Sequence, residues 1–176
     1  RYLASYLGAQ DADFQLDLAV GAAPASAAER LWHSWGQPSK LALLCPFTTR
    51  PQKHWFEKRW ADLAQQLQAQ GWHPVIVGGP ADQEAAERIC AQVPGLLSVA
   101  GQLKLDESVA LVARGQLLIG VDTGLTHMGT ALRVPTVALF GSTCPYADAT
   151  AERTQILYDQ LPCSPCRRHP TCDGRF

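Results

Sequence analysis

The feature that most constrains how this chain folds is a regular alternation, from residue 40 onward, of short apolar runs with longer amphipathic stretches. Short apolar runs bounded by Gly, Pro or Asp are typical of buried strands, whereas the stretches between them have the periodicity of helices. Strands that alternate with helices form βαβ units, in which the strands lie parallel. The sequence therefore predicts an α/β fold with a parallel sheet and helices on both of its faces.

Six strands and four helices are predicted in this region. The strands fall at residues 41–46, 73–79, 96–101, 116–122, 136–142 and 154–159, and the helices at residues 55–70, 82–93, 106–114 and 124–132. Gly71, Gly95 and Gly115 each follow one of the first three helices. Many helices end in a left-handed residue, which glycine adopts most readily, so these glycines are predicted helix stops.

Residues 1–39 do not share this alternation. They contain one predicted strand, at residues 14–20, and one predicted helix, at residues 26–36. We therefore expect residues 1–39 to be a lead-in or interdomain linker segment and residues 40–176 to form one domain. Because the chain begins within a helix-like stretch and stops just after a cysteine motif, we expect it to be a fragment of a longer protein.

The composition narrows the class of protein. With 47% hydrophobic and 18% charged residues, the chain has the balance of an ordinary globular domain. Its 15 Lys and Arg residues are matched by 16 Asp and Glu residues, and no basic run is long enough to follow a line of phosphates, which argues against a nucleic-acid partner. No apolar run approaches the ~20 residues that cross a bilayer, so we expect a cytoplasmic protein.

The segment "VDTGLTHMG" (121–129) places polar residues directly after an apolar run, at the start of a predicted helix. In doubly wound sheets, ligands bind at the carboxyl ends of the strands, where helix N-termini favour anions. Gly124 allows close approach to the backbone, and Thr123 offers a hydroxyl group. Asp122 would repel a phosphate, so it is predicted either to bind sugar hydroxyls or to cap the helix, and His127 lies one turn further on.

A second candidate loop, "FTTRPQKH" (47–54), follows the first predicted strand of the sheet. Thr48 and Thr49 supply hydroxyl groups, and Lys53 supplies a compact positive charge near the start of the next helix. This combination can neutralise a diphosphate. The alternative is that Lys53 is only a solvated loop charge, as surface lysines usually are.

A third loop, "GGPADQE" (78–84), brings two glycines and two carboxylates together after another predicted strand. Asp82 or Glu84 is placed to bind the diol of a ribose, and the sequence does not decide between them. No G-x-G-x-x-G motif opens the first helix of the sheet. Its absence argues against a dinucleotide-dependent oxidoreductase, in which the backbone must approach the pyrophosphate closely.

The segment "CSPCRRHPTC" (163–172) spaces Cys163, Cys166, His169 and Cys172 at three-residue intervals. These are ligands of the kind that zinc prefers, but structural zinc sites normally join two short knuckles through a longer connection. Two prolines also stiffen this segment. We therefore expect a packed loop with free thiols or one disulfide and no metal, and a zinc site is the alternative.

Four of these segments, in this order, resemble sequence blocks of glycosyltransferase family 9, the ADP-heptose:lipopolysaccharide heptosyltransferases. The blocks are "TTRPQKHW", "GGPADQE", "VDTGLTHMGTALRVPTVALFGST" and "CSPCRRHPTC". The resemblance covers most of residues 40–176 and is to the C-terminal half of the family. It implies a GT-B architecture of two Rossmann-like domains, of which this chain holds the donor-binding domain and lacks the N-terminal acceptor domain.

The resemblance also implies roles for individual residues. Lys53 and Asp122 are the candidate catalytic residues, Gln102 and Leu103 fall where the family seats adenine, and Asp82 falls near its ribose-binding carboxylate. The full set of candidate donor-binding residues is Thr48, Thr49, Lys53, Asp82, Gln102, Leu103, Asp122, Thr123, Gly124 and His127.

The implied reaction is the inverting transfer of heptose from ADP-heptose to the inner core of lipopolysaccharide, with no cofactor. The general base is expected in the N-terminal domain. The full-length protein is expected to lie at the cytoplasmic face of the inner membrane. The acceptor stays open, because "TTRPQKHW" looks like the enzyme that adds the first heptose whereas the cysteine-rich tail looks like those that add later ones. Cys144 also stands where the family often has Asp.

Two alternatives to this function remain at the level of the sequence. One is another GT-B glycosyltransferase that uses a different nucleotide sugar. The other is a non-catalytic module that binds a nucleotide sugar, which would keep the phosphate loop without the chemistry.

Overall fold

The computed structural model describes Tyr6, Gly8, residues 18–145 and residues 153–166. The elements, in chain order, are α1 (Ala22–Ser34), β1 (Leu41–Cys45), α2 (Glu57–Ala69), β2 (His73–Ile76), α3 (Gln83–Cys90), β3 (Leu97–Ser98), α4 (Leu105–Arg114), β4 (Leu117–Val121), α5 (Gly124–Ala131), β5 (Thr136–Phe140) and β6 (Thr154–Tyr158). Within these residues, no helix combines the length and the apolar character needed to cross a membrane.

The six strands form one sheet in the order β3-β2-β1-β4-β5-β6, and every neighbouring pair is parallel. This arrangement confirms the predicted α/β fold. From β1 the chain builds outward through β2 and β3, then crosses back to place β4 on the other side of β1. Because the direction of winding reverses between β1 and β4, a crevice opens at the carboxyl ends of these two strands.

Helices cover both faces of the sheet, as predicted. Helices α2 and α3 lie on one face, where Trp60 and Ile89 are buried in the same cluster as Leu44 of β1. Helices α1 and α4 lie on the other face, where Leu111 is buried with Leu43 of the same strand. Since alternate residues of β1 face opposite cores, both faces must be apolar, which explains its uninterrupted apolar sequence.

Helix α1 lies in the segment predicted to be a lead-in, and it packs on α4. Ala28 is buried in the same core cluster as α4. Glu29 forms an ion pair with Arg114, whose guanidinium carbon lies 4.1 Å from the ring centroid of Trp32. The predicted helix at 26–36 is therefore confirmed, with an earlier start at Ala22 and an earlier end at Ser34. Residues 18–20 are not in a strand, and the rest of the predicted strand at 14–20 lies outside the described residues.

Of the three predicted glycine stops only Gly71 is confirmed, because it directly follows the C-cap of α2, whereas α3 already ends at Cys90, well before Gly95. Gly71 and Gly95 have left-handed backbone conformations, with φ of 77° and 76°. The prediction is wrong for Gly115, which is extended with φ of −64°. A Cβ atom at Gly115 would lie 3.0 Å from Cδ1 of Leu43, so a larger residue there would crowd the Leu43 side chain where α4 ends against β1.

A different glycine sets how closely α5 can pack on β4. A Cβ atom at Gly120 would lie 2.2 Å from Oγ1 of Thr126 and 2.9 Å from Cβ of Cys45. The Thr126 hydroxyl is itself buried and donates to the carbonyl of Val121 at 2.7 Å. This side chain cannot move without losing that hydrogen bond, so the position excludes even one methyl group.

We therefore expect Gly120→Ala to lower the free energy of unfolding by about 1–3 kcal/mol, the usual cost of overpacking a core. Urea denaturation measures this loss. Gly141→Ala is the matched control, because a Cβ atom there meets nothing within 4 Å. Equal stability of the two variants would contradict the close approach of α5 to β4.

Candidate functional site

Three neighbouring strands direct polar residues into the crevice at the topological switch point, where the direction of winding reverses between β1 and β4. Lys53 ends a 3-10 helix (Pro51–Lys53) that follows β1, and Asp122 directly follows β4. Thr143 follows β5, which is the other neighbour of β4. Because these strands are parallel and adjacent, the loops after them converge at one edge of the sheet.

The Asp122 carboxylate is the centre of this cluster, and the residue is only 9% exposed. Its Oδ2 accepts hydrogen bonds from Nζ of Lys53 and from Oγ1 of Thr143, the latter at 2.6 Å. Its Oδ1 lies 3.0 Å from Nε2 of His127, which must be the donor because a carboxylate only accepts. The structure thus brings together the predicted site residues Lys53, Asp122 and His127.

These contacts exclude one of the two roles predicted for Asp122, that of a helix cap. The N-cap residue of α5 is Thr123, and the Asp122 carboxylate contacts Lys53, Thr143 and His127 rather than the first N–H groups of the helix. The interpretation of Asp122 as a helix cap is therefore wrong, because a cationic partner across the crevice holds the carboxylate. Its binding of sugar hydroxyls stays a prediction.

The electrostatics of the cluster keep Asp122 ionised. Burial raises the pKa of Asp122, but hydrogen bonds from Lys53, Thr143 and His127, together with the charge of Lys53, outweigh burial and hold the pKa below its usual range. Lys53 and Asp122 therefore form an ion pair, with side chains that are 17% and 11% exposed. The pair compensates the negative charge that would otherwise repel a phosphate.

Two hydrogen bonds within the loop that carries Lys53 fix its conformation. The backbone N–H of Lys53 donates to the carbonyl of Arg50 at 2.9 Å. Nε2 of His54 lies 2.7 Å from the carbonyl oxygen of Thr48. Thr48 is half-buried, whereas Thr49 and Arg50 are exposed at the rim. The loop therefore directs Lys53 inward, and the phosphate contacts expected of Thr48 and Thr49 stay predictions.

The N-terminus of α5 is open toward the crevice. A Cβ atom at Gly124 would meet no atom within 4 Å, so the space over this part of the backbone is free. Helix α5 begins at Gly124, directly after Thr123, and its N-terminus carries a partial positive charge. An anion can approach this backbone beside the Lys53–Asp122 pair.

The two carboxylates predicted near a ribose have different surroundings. Oδ2 of Asp82 accepts the backbone N–H of Gly79 at 2.8 Å, so this carboxylate stabilises the glycine turn after β2. Glu84 is exposed and lies 3.2 Å from Arg88 in an ion pair one turn along α3. Each carboxylate thus has a partner within the protein, and the contact of either one with a ribose stays a prediction.

The segment predicted to seat adenine lies beside this turn. The backbone N–H of Gly101 donates to the carbonyl of Gly78 at 3.2 Å, which joins the loop after β3 to the loop after β2. Nε2 of Gln102 donates to the carbonyl of Ser98 at 3.0 Å, and Leu103 packs against the core. The predicted ribose and adenine segments are therefore neighbours.

The cysteine-rich tail is described only in part. Cys163 is exposed with a free thiol, and Cys166 is half-buried. His169 and Cys172 lie outside the described residues. Across residues 18–145 and 153–166, no three His, Cys, Asp or Glu side chains come together as a metal site would require. The packed-loop and zinc interpretations of the four residues both remain predictions.

Thr143 was not among the predicted site residues. The signal that could have found it is its position after a predicted strand, at the same edge of the sheet as Asp122. What could not be read from the sequence is that β5 lies directly beside β4. That neighbour relationship is what brings the hydroxyl to the carboxylate.

The fold and this site together define a Rossmann-like domain that presents an ion pair and an open helix N-terminus at its switch point. The chain belongs to glycosyltransferase family 9 (heptosyltransferase), whose family model matches residues 2–174. The match extends into residues 2–39, which the resemblance of the four sequence blocks did not cover.

Individual relatives agree with this assignment. The lipopolysaccharide heptosyltransferase 1 of Pseudomonas aeruginosa is 36% identical over 127 residues, which are 71% of this chain and 35% of that protein. A family 9 glycosyl transferase of Veillonella parvula superposes with a TM-score of 0.82 at 25% identity, over 89% of this chain and 47% of that one.

The heptosyltransferase WaaC of E. coli, solved with ADP-2-deoxy-2-fluoro heptose, superposes with a TM-score of 0.65 at 26% identity, over 88% of this chain and 46% of that one. The chain therefore spans between 35% and 47% of the length of these relatives.

Proposed function

We propose that this chain is the donor-binding domain of an inverting glycosyltransferase that transfers heptose from ADP-heptose to the inner core of lipopolysaccharide. The observation that carries the proposal is the Lys53–Asp122 ion pair beside the open N-terminus of α5, in a chain of glycosyltransferase family 9. The complex of the related WaaC with ADP-2-deoxy-2-fluoro heptose supports an ADP-sugar as the donor.

The proposed chemistry is a single displacement. The acceptor oxygen forms a bond to the anomeric carbon while the bond from that carbon to the diphosphate breaks on the opposite face, so negative charge develops on the departing ADP. Nζ of Lys53 and the N-terminal dipole of α5 stabilise this charge. Asp122 holds Lys53 in place beforehand, which avoids reorganisation during the reaction.

The rest of the machinery is assigned to a partner domain. We propose that residues 1–39 lead into the donor-binding domain at residues 40–176, and that an N-terminal domain seats the lipopolysaccharide acceptor and supplies the base that takes its hydroxyl proton. In this proposal the full-length protein works at the cytoplasmic face of the inner membrane and needs no cofactor.

Calorimetry of the chain with ADP, UDP and GDP tests the choice of donor. We expect ADP to bind at least ~10-fold more tightly than the other two, a difference of about 1.4 kcal/mol. Equal affinity for all three would favour the alternative of a different nucleotide-sugar glycosyltransferase. Failure of all three to bind at millimolar concentration would overturn the donor-binding assignment.

A transfer assay separates the enzyme from a non-catalytic binding module. We expect the full-length protein to transfer heptose from ADP-heptose to truncated lipopolysaccharide. We expect the 176-residue chain alone to transfer none, because it lacks the domain that seats the acceptor and excludes water. Binding of ADP-heptose without transfer by the full-length protein would favour the binding module.

A further inference from the structure

The turn that carries Thr143 is held by the segment after β6. Oγ of Ser164 donates to the carbonyl of Gly141, and the backbone N–H of Cys166 donates to the carbonyl of Ser142 at 2.7 Å. The hydroxyl of Tyr158 lies 3.0 Å from Oγ of Ser164 and donates to it, since that oxygen already gives its proton to Gly141. We call Ser164 and Cys166 the C-terminal clamp.

The clamp bonds two consecutive carbonyls, and the next residue is Thr143. Its hydroxyl donates at 2.6 Å to Oδ2 of Asp122, the same oxygen that accepts from Lys53. His127 occupies the other oxygen of this carboxylate. With donors on both oxygens, the carboxylate cannot rotate without breaking a hydrogen bond. Thr143 adds a second donor to Oδ2 beside Lys53, and its hydroxyl carries no charge that would compete with that of Lys53.

We propose that Thr143 is a positioning residue, which fixes the Asp122 carboxylate so that Lys53 is held at the crevice, and that the C-terminal clamp keeps Thr143 in place. This gives the start of the cysteine-rich motif a role that needs no metal. The positioning of the Asp122 carboxylate follows from its hydrogen bonds with Thr143, Lys53 and His127. Its consequence for donor binding rests on the proposed function.

Two variants of Thr143 test the positioning role. Thr143→Val removes the hydroxyl at nearly constant volume, and Thr143→Ser keeps it. The titratable groups that contact Asp122 are Lys53 and His127, and both are left intact. We expect carbon-detected NMR to show that the Asp122 carboxyl titrates at higher pH in the valine variant and as in wild type in the serine variant.

The same variants are expected to differ in ADP affinity, with a loss of about 3- to 10-fold for valine and rescue by serine, the range for one hydrogen bond. Thr154→Val is the matched control, because its hydroxyl lies 3.1 Å from Oγ1 of Thr130 and does not contact Asp122. An unchanged Asp122 titration in Thr143→Val would overturn the positioning role.

Ser164→Ala tests the clamp. It removes the hydrogen bond to Gly141, so we expect it to shift the Asp122 titration in the same direction as Thr143→Val. If the clamp acts through Thr143, Ser164→Ala has no further effect in the Thr143→Val background. Additive shifts would overturn the clamp. If wild type fails to bind ADP, the proposed function fails, and the NMR titrations still decide the role of Thr143.

Discussion

Lys53→Ala is expected to weaken ADP binding by roughly 10- to 150-fold, which corresponds to the ~1.5–3 kcal/mol of a charge-assisted hydrogen bond. Two effects act in the same direction. Under the proposed function the diphosphate loses its cationic partner, and Asp122 loses the charge that compensates it, so the crevice becomes repulsive to an anion. Calorimetry of wild type and variant with ADP measures the change.

The control for this prediction is Lys58→Ala. Lys58 is also a lysine in an ion pair, with Asp62, but its side chain is 79% exposed on the outer face of α2. Exposed pairs of this kind contribute little, so we expect unchanged affinity and stability. Wild-type affinity in Lys53→Ala would remove Lys53 from the donor site, provided that its melting temperature shows a folded protein.

Asp122→Asn is expected to lower the turnover of the full-length enzyme by ~10²-fold or more, as for loss of a preorganised contact at the transition state. The amide keeps the shape of the side chain but no longer anchors Lys53 by charge. Heptose transfer measures turnover, and Asp62→Asn is the surface control. Full turnover in Asp122→Asn would show that the ion pair serves folding alone.

The effect of Asp122→Asn on the free energy of unfolding is also expected to depend on pH. The pKa of Asp122 is lower in the fold than in the unfolded chain, so ionised Asp122 stabilises the fold above the unfolded value of about 3.9. This contribution is lost as the pH falls through the lower, folded pKa. We therefore expect wild type to exceed Asp122→Asn in stability by roughly 1.5–3 kcal/mol at pH 7 and this gap to close in acid.

The sheet could be predicted because its signals are local. Strands buried on both faces, such as β1 and β4, are apolar without interruption, and each is followed by a turn residue and a helix. The boundaries were less accurate where tertiary contacts end an element. The strand predicted at 73–79 stops at Ile76, and the glycine turn that follows it is bonded to Asp82 and Gly101 instead.

The site residues could be predicted where the type of side chain and its position after a strand indicate a binding role. Lys53, Asp122 and His127 were found because polar residues after an apolar run lie at the ligand-binding edge. Their mutual contacts could not be predicted, because these depend on which strands become neighbours. A carboxylate is compatible with a phosphate site here because its charge is compensated by Lys53, which lies 69 positions earlier in the chain.

The separation along the chain of the three Asp122 contacts has a consequence for folding kinetics. The contact with His127 spans 5 residues and can form with the helix, whereas those with Thr143 and Lys53 span 21 and 69 residues and close progressively larger loops. Closing larger loops costs more entropy, so these contacts form only once β1, β4 and β5 are assembled. A nascent chain therefore acquires the complete Asp122 cluster only after residue 143 has been synthesised and docked, and an anion bound at the proposed site would selectively stabilise chains in which these three strands have assembled.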